Sequence, residues 1–210
     1  MRNAYTAYME NMRSIDTPAV ALEEMLTDQF SAEDAIVYHS FESTWKHTIV
    51  AGCPRALGEN LKPYMTELAD AADGALELTS TEVLHSTILA FNGPCVPRLQ
   101  SRPIHTFVQG IHLRPQGIML NLYATDNSLV DVRKEIAAQV GRPFDPGNRL
   151  AGVAWVSLAR FTRRPPSGLL ALVRRYQKEV FGQVTFHELC LYEIRNKFLL
   201  GAVPLHRYPL

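Results

Sequence analysis

Cysteine is scarce in this chain of 210 residues, which holds only three, Cys53, Cys95 and Cys190. They form no C-x-x-C pair, and an odd number of widely spaced cysteines is a poor basis for a disulfide framework. Thiols without disulfide partners are typical of a reducing compartment. We therefore expect a cytoplasmic protein.

Long hydrophobic runs and a net charge are lacking as well. No stretch approaches the roughly 18–20 apolar residues of a membrane-spanning helix, and residues 1–15 lack the apolar core of a secretory signal. Twenty-one Lys plus Arg balance 21 Asp plus Glu. A neutral chain is a poor candidate for a non-specific DNA coat or a polybasic membrane binder, so no membrane partner is expected.

Several common catalytic and binding motifs are missing. The chain contains no G-x-G-x-x-G, no G-x-x-x-x-G-K-[ST], no H-E-x-x-H and no G-x-S-x-G. None of its cysteines and histidines has the spacing of a zinc site. We therefore expect neither a metal ion nor a cofactor. Cys53 lies near the start of a predicted helix, which can activate a thiol, but a cysteine before a proline is commonplace.

Hydrophobic periodicity, in contrast, is abundant and predicts an α+β fold. Residues 1–43 are expected to form an N-terminal helical extension, and residues 44–210 a bilobal domain. Predicted strands cover 44–51, 82–91, 104–113, 118–125, 152–161, 184–194 and 201–208. Predicted helices cover 55–72, 128–140 and 168–181.

An internal repeat organises these elements. Each half contains a strand, a helix and a returning strand, with 29 residues from Ala56 to His85 and 28 from Asn127 to Trp155. The returning strands are alike in character, LHSTILAF and AWVSLARF. The repeat predicts two pseudo-symmetric lobes of antiparallel strands, with outer helices, around a central cleft where a ligand would bind.

The first returning strand carries a histidine and a hydroxyl on one face. Alternate residues of a strand share a face, so His85 and Thr87 lie roughly 6.6 Å apart along the backbone. The hydroxyl suits a phosphoryl oxygen, and an imidazole transfers protons near neutral pH. The alternative is a strand histidine satisfied by a neighbouring group.

These strands resemble the paired motifs of the two-histidine (2H) phosphoesterases, the superfamily of 2′-5′ RNA ligase-like proteins and cyclic phosphodiesterases. The resemblance covers about residues 44–210, and the segment from Cys190 to Tyr208 is similar to the family's closing hairpin. It implies two His-x-Thr/Ser-apolar motifs facing each other across a cleft. One histidine would act as base and the other as acid, the hydroxyls would hold the phosphate, and no metal would be needed. The first motif corresponds to His85, Thr87 and Ile88.

The second motif departs from the family pattern. Ser157 supplies its hydroxyl, but Trp155 stands where the resemblance implies a histidine. An indole N–H only donates a hydrogen bond, and loss of one acid or base typically costs ~10²- to 10⁴-fold in rate. A slow enzyme, a binding protein and a relocated proton donor are all compatible with this change. Trp155 suits stacking on a nucleobase, although large aromatic residues and hydroxyls such as Ser157 are also common in cores.

Other residues are weighed as contributors to the same cleft. His47 on the first strand is the preferred replacement for the missing histidine, and His105, His112 and His187 are further candidates that structural roles also explain. Tyr123 and Asn121 share a strand face and are expected to line the groove. Arg160 belongs to a basic group that attracts an anionic substrate or forms a solvated surface. This group also contains Arg163, Arg164, Arg174, Arg175 and Lys178.

The function expected from these residues is that of a 2H-like phosphodiesterase. Its substrate is expected to be a nucleotide or an RNA end with a 2′,3′-cyclic or 2′,5′-linked phosphate, hydrolysed without metal. Predicted catalytic residues are His85, Thr87 and Ser157, and predicted substrate-binding residues are Trp155, His47, Tyr123 and Arg160. The alternatives are a non-catalytic nucleotide- or RNA-binding protein on the same scaffold, and a structural or interaction protein that shares only the topology.

Overall fold

A computed structural model of the chain describes residues 45–93, 95–100, 102–114, 117–148, 150–163, 165–194 and 202–210. The predicted N-terminal extension, residues 1–43, lies outside them. The helices of this part are α1 (Arg55–Ala72), α2 (Ser128–Val140) and α3 (Ser167–Tyr176). The strands are β1 (His47–Gly52), β2 (Leu76–Leu78), β3 (His85–Phe91), β4 (Ile104–Arg114), β5 (Gly117–Ala124), β6 (Val153–Phe161), β7 (Val180–Phe186), β8 (Glu188–Glu193) and β9 (His206–Pro209).

All nine strands join one antiparallel sheet, in the order β7-β4-β5-β6-β3-β1-β8-β9, with β2 also paired to β6. The β6–β3 junction divides this order into two lobes. One contains β7, β4, β5 and β6, and the other contains β3, β1, β8 and β9. The ladder between β6 and β3 consists of the single pair Ser86–Val156. The expected α+β fold with two antiparallel lobes is therefore confirmed, and the lobes meet at the two returning strands.

The returning strands share a β-bulge at the same place. The register between β1 and β3 skips Ile88, directly after Thr87. The register between β5 and β6 skips Leu158, directly after Ser157. A bulge bends its strand and redirects the side chains beside it. Its recurrence in both halves supports the duplication inferred from the sequence.

One face of the sheet is covered by the helices. The stripe of α1 that packs there contains Leu57, Leu61, Met65, Leu68 and Ala72, all buried at helical spacing. Along β5, Ile118, Leu120 and Leu122 belong to the same core cluster as the helices, whereas the residues between them do not. Because side chains alternate across a strand, Met119, Asn121 and Tyr123 lie on the other face, which we call the cleft face.

A buried arginine ties α2 to both returning strands. Arg133 is 8% exposed, and it donates hydrogen bonds to the carbonyl oxygens of Ile88 at 2.9 Å, Ala151 at 2.8 Å and Val153 at 2.7 Å. Ile88 lies on β3 and Val153 begins β6. Arg133 therefore connects the two lobes where β3 and β6 are no longer paired, beyond Ser86 and Val156.

The structure corrects the bounds of several predicted elements and adds one strand. The third helix ends at Tyr176 rather than 181, because β7 already begins at Val180 and pairs with β4. The predicted strand 184–194 is two strands, since β7 pairs with β4 in one lobe and β8 pairs with β1 in the other. β2 was not predicted, because three residues are too short to show a period of two.

None of the three described helices has both the length and the apolar character that a membrane span requires.

Candidate functional site

The junction of the two lobes brings the motif residues together. Ser86 pairs with Val156 in antiparallel register, so the register sets His85 opposite Ser157 and Thr87 opposite Trp155, on the two sides of this single pair. Ser86 and Val156 are fully buried, whereas Thr87 and Trp155 are exposed and His85 and Ser157 are half-buried. Alternation therefore places the imidazole, both hydroxyls and the indole on the cleft face.

The orientation of His85 determines where its proton lies. Its Nδ1 is 2.9 Å from the carbonyl oxygen of Val83. A carbonyl oxygen only accepts, so Nδ1 carries the proton and Nε2 of the neutral ring is an acceptor. Burial lowers the pKa of His85 and the charge of Arg160 lowers it further, while the bond to Val83 opposes both effects. At neutral pH His85 is thus an uncharged ring whose Nε2 can accept a proton.

Arg160 places a positive charge at this junction. It is half-buried and lies on β6 between Gly117 of β5 and Glu77 of β2. Burial lowers the pKa of its guanidinium, which nevertheless stays protonated in proteins. Its charge lowers the pKa of His85, and it lies three residues beyond Ser157 on the same strand. An anionic phosphate beside His85 would therefore meet a partly desolvated cation.

Two pockets open on either side of the motif residues. The histidine pocket, about 520 Å³, is lined by Val50, Gly52, Pro54, Glu82, Val83, Leu84, His85, Thr185, Phe186, His187, Glu188, Cys190, Tyr192, Ala202 and Arg207. The tryptophan pocket, about 420 Å³, is lined by Trp45, Thr87, Ile88, Leu89, Ala90, Arg133, Arg142, Pro143, Phe144, Asp145, Asn148, Leu150, Ala151 and Trp155. His85 thus faces one pocket, and Thr87 with Trp155 faces the other.

A polar cluster on β8 and β9 forms one wall of the histidine pocket. Arg207 Nη1 donates to Glu188 Oε1 at 2.7 Å, and Cys190 Sγ donates to the same oxygen at 3.4 Å. Burial and then Glu188 raise the pKa of the Cys190 thiol, so this thiol is not activated as a nucleophile. The sequence analysis did not assign this wall. The alternation of Glu188, Cys190 and Tyr192 along one strand was the available indication.

His47 does not reach the cleft, and its expected role there is wrong. Its ring stacks on Phe91, with centroids 5.6 Å apart and an angle of 25° between the planes. It shares a strand face with the fully buried Ile49, on the helix-covered side. A period of two identifies the two faces of a strand, but it does not show which face the helices cover.

Tyr123 lies on the cleft face but beneath its surface. It is 4% exposed, and the adjacent Asn121 is fully buried. Asn121 Nδ2 donates to the Tyr123 hydroxyl oxygen at 3.0 Å, and Asn121 pairs with Trp155 across β5 and β6. The expectation that Tyr123 lines the open groove is therefore corrected, since Tyr123 is buried beside Asn121, the cross-strand neighbour of Trp155.

The other histidines are distributed unevenly around the site. His187 lines the histidine pocket together with His85. His105 is hydrogen-bonded through Nδ1 to Thr185 Oγ1 at 3.1 Å, and the half-buried His112 pairs with Met119. His187 is therefore the histidine, apart from His85, that the structure places in this pocket.

A thiol nucleophile at Cys53 receives little support from the structure. Burial raises the pKa of Cys53 to about 12, which keeps its thiol protonated and unreactive.

The basic group named in the sequence analysis is partly neutralised by ion pairs. Arg163 pairs with Asp73 at 3.4 Å and Arg175 with Glu67 at 2.8 Å, and both pairs are largely exposed. This part of the basic group is thus a solvated surface. Within the described ranges, no three His, Cys, Asp or Glu side chains are grouped to hold a metal ion.

The architecture is similar to several solved structures. Escherichia coli LigT complexed with ATP is 13% identical, with a TM-score of 0.56, over 79% of this chain and 98% of that one. TT0787 of Thermus thermophilus is 15% identical, with a TM-score of 0.54, over 79% and 97%. A structure described as a phosphoesterase is 14% identical, with a TM-score of 0.56, over 79% and 98%.

Sequence comparison alone does not reveal this likeness, because no protein-family model and no curated protein matches the chain. The likeness covers about four fifths of this chain and nearly the whole of each of those structures. The chain therefore has the fold of the 2H phosphoesterases, as the resemblance of its two returning strands predicted.

Proposed function

We propose that this protein is a 2H-like phosphodiesterase in which one histidine, His85, carries out proton transfer without a metal ion. Its substrate is a nucleotide or an RNA end with a 2′,3′-cyclic or 2′,5′-linked phosphate. The observation that carries the proposal is the junction itself, where the Ser86–Val156 pair sets His85 opposite Ser157 and Thr87 opposite Trp155 on the cleft face.

The proposed reaction is an attack of water on phosphorus. His85 Nε2 takes a proton from the water as its oxygen bonds to phosphorus, and the bond from phosphorus to the ribose oxygen breaks. The departing oxygen takes a proton from solvent, because the indole of Trp155 is not an acid at neutral pH. The product is a phosphomonoester, and the protonated His85 then returns its proton to solvent.

The remaining residues of the site act on the phosphate. The hydroxyls of Thr87 and Ser157 donate to its non-bridging oxygens, and Arg160 offsets the negative charge that develops on them. Ser157 Oγ is buried and has no hydrogen-bond partner among the described residues. A buried polar atom without a partner is costly, and a phosphate oxygen would satisfy it.

Nucleotide binding is the part of the proposal that the structural neighbours support. E. coli LigT has been crystallised with ATP, with NADP+ and with 3′-AMP. In this chain, Trp155 offers a partly exposed ring next to Thr87, and base stacking on such rings is tolerant of sequence.

A non-catalytic nucleotide-binding protein is the second candidate function. The observation that favours it is the indole at the position where the resemblance implies the second histidine, which is 39% exposed. On this alternative His85 and Thr87 would bind phosphate without turnover.

Hydrolysis of 2′,3′-cyclic nucleotides and 2′,5′-linked dinucleotides in EDTA tests the proposal. His85→Ala is expected to lower kcat/KM by about 10²- to 10⁴-fold. His206→Ala is the matched control, since it removes an exposed histidine on β9 that lines neither pocket. Equal hydrolysis by wild type and His85→Ala would remove His85 from the mechanism. Binding without hydrolysis by the wild type would establish the second candidate.

A further inference from the structure

We propose that the tryptophan pocket binds the nucleobase of a second nucleoside, so that the preferred substrate is a phosphodiester joining two nucleosides rather than a terminal cyclic phosphate. The inference rests on the proposed function for one point, the position of the phosphate at Thr87. It selects the 2′,5′-linked class from the two substrate classes proposed above.

The first argument is the placement of the two pockets. His85 lines the histidine pocket and Thr87 lines the tryptophan pocket, and the two residues are separated by one position on β3. A phosphate held between them therefore has a pocket on each side. A 2′,3′-cyclic mononucleotide occupies one of these pockets, whereas a diester of two nucleosides occupies both.

The second argument is the chemistry of the pocket lining. Trp45 and Trp155 are 36% and 39% exposed, although large aromatic rings are usually well buried. The Arg142 guanidinium carbon lies 4.4 Å from the centroid of the Trp45 ring. Indole rings and a stacked guanidinium are the surfaces on which proteins stack bases of single-stranded nucleic acids.

The third argument is that the pocket is already formed. Arg142 donates to the carbonyl oxygen of Ala90, which fixes the cation against β3. Asp145 Oδ1 accepts from the Gly147 N–H, and Asn148 Oδ1 accepts from the Leu150 N–H, both at 2.8 Å. A wall ordered in advance lowers the entropy lost on binding. The volume of about 420 Å³ lies within the range of roughly 300–1,000 Å³ usual for small-molecule sites.

The two tryptophans make this pocket directly observable. The chain contains two tryptophans, and both line the same pocket, so intrinsic tryptophan fluorescence reports on it. Trp45→Phe and Trp155→Phe each leave one indole. We expect 2′,5′-linked adenylyl-adenosine to quench the fluorescence of both single-tryptophan variants. We expect it to bind wild type roughly tenfold more tightly than 2′,3′-cyclic AMP, a gain typical of one stacked base.

Arg142→Ala and Val203→Ala form the matched pair of variants. Arg142→Ala removes the cation from the Trp45 ring and is expected to weaken dinucleotide binding several-fold, and to lower the ratio of dinucleotide to cyclic-nucleotide hydrolysis. Val203→Ala changes a side chain that is 79% exposed and outside both pockets, so it is expected to leave binding unchanged.

The outcomes separate this inference from the proposed function. Hydrolysis of the dinucleotide without quenching of either indole, or equal affinity for the dinucleotide and the cyclic mononucleotide, would overturn the second-base site while the phosphodiesterase proposal stands. Quenching by the dinucleotide without hydrolysis would support the site and overturn the catalytic proposal. Equal quenching by inorganic phosphate would overturn the assignment to a base.

Discussion

The two returning strands have nearly the same backbone and different chemistry. β3 and β6 each carry a bulge directly after the motif hydroxyl, at Ile88 and at Leu158. The β3 motif holds a half-buried imidazole fixed by Val83, whereas the β6 motif presents an exposed indole. Strand pairing and the bulge depend mainly on backbone hydrogen bonds. The backbone conformation of a motif can therefore be the same where the side chain that would transfer a proton is different.

Trp155→His would make the two motifs chemically equivalent, and it has the largest expected effect. An imidazole at this position is an acid able to protonate the leaving oxygen, so kcat is expected to rise by about 10²-fold or more. The measurement is steady-state hydrolysis of 2′,5′-linked and 2′,3′-cyclic substrates in EDTA. Trp155→Phe serves as control, because it removes the indole without supplying an acid. An equal change in both variants would show that the gain comes from space and not from proton transfer.

Arg133→Ala tests whether the two motifs depend on a shared support. It leaves the carbonyls of Ile88, Ala151 and Val153 without their charged donor, and hydrogen bonds to charged groups contribute about 1.5–3 kcal/mol each at most. We expect the free energy of unfolding in urea to fall by about 2–3 kcal/mol.

Arg102→Ala is the control for this stability measurement. Arg102 contacts Asp131 of α2 at 3.0 Å, and both side chains are partly exposed. Exposed ion pairs contribute about 0–1 kcal/mol. Equal loss of stability in the two variants would contradict the bridging role of Arg133.

The pH dependence distinguishes one working acid–base group from two. The pKa of His85 is lowered from its usual 6.5, chiefly by burial, and a base works only when deprotonated. Hydrolysis is therefore expected to rise with pH along a single limb whose midpoint lies below 6.5, and to be lost as the pH falls through the pKa of His85. A second, descending limb in the profile would show that another acid–base group works beside His85.

The smallest expected effect is a shift in the midpoint of the pH profile, and Arg160→Met tests it. The charge of Arg160 helps to lower the pKa of His85, so its removal is expected to raise that pKa and to move the midpoint of the ascending limb to higher pH. The full pH profiles of kcat/KM for Arg160→Met and wild type provide the measurement. An unchanged midpoint would show that the cation does not act on the imidazole.

Local patterns predicted the long helices and the fold class well. The boundaries of α1 and α2 agree with the predictions because each has a continuous buried stripe, and Gly141 ends α2 in a left-handed conformation with φ of 67°. The break between β7 and β8 at His187 was missed, since only their different partner strands separate them.

The candidate site was predictable only where it depends on residues close together in the chain. His85, Thr87 and Ser157 follow from spacing within single strands and from the family resemblance. His47 and Tyr123 were assigned to the cleft incorrectly, because alternation along a strand leaves open which face is covered and how deeply. The tryptophan pocket combines Trp45, Arg142 and Trp155 from three distant segments, and no local pattern connects them.

The sequence by itself determined the periods of its helices and strands, the internal likeness of its two halves, and the presence of Trp155 where the family resemblance implies a histidine. These properties depend on neighbouring residues, whose positions follow from backbone geometry alone. Only the tertiary structure decided which strand faces the helices cover, that the lobes meet at Ser86 and Val156, and that the motif lies between two pockets. Those features depend on long-range strand pairing and helix packing, which place residues far apart in the chain side by side.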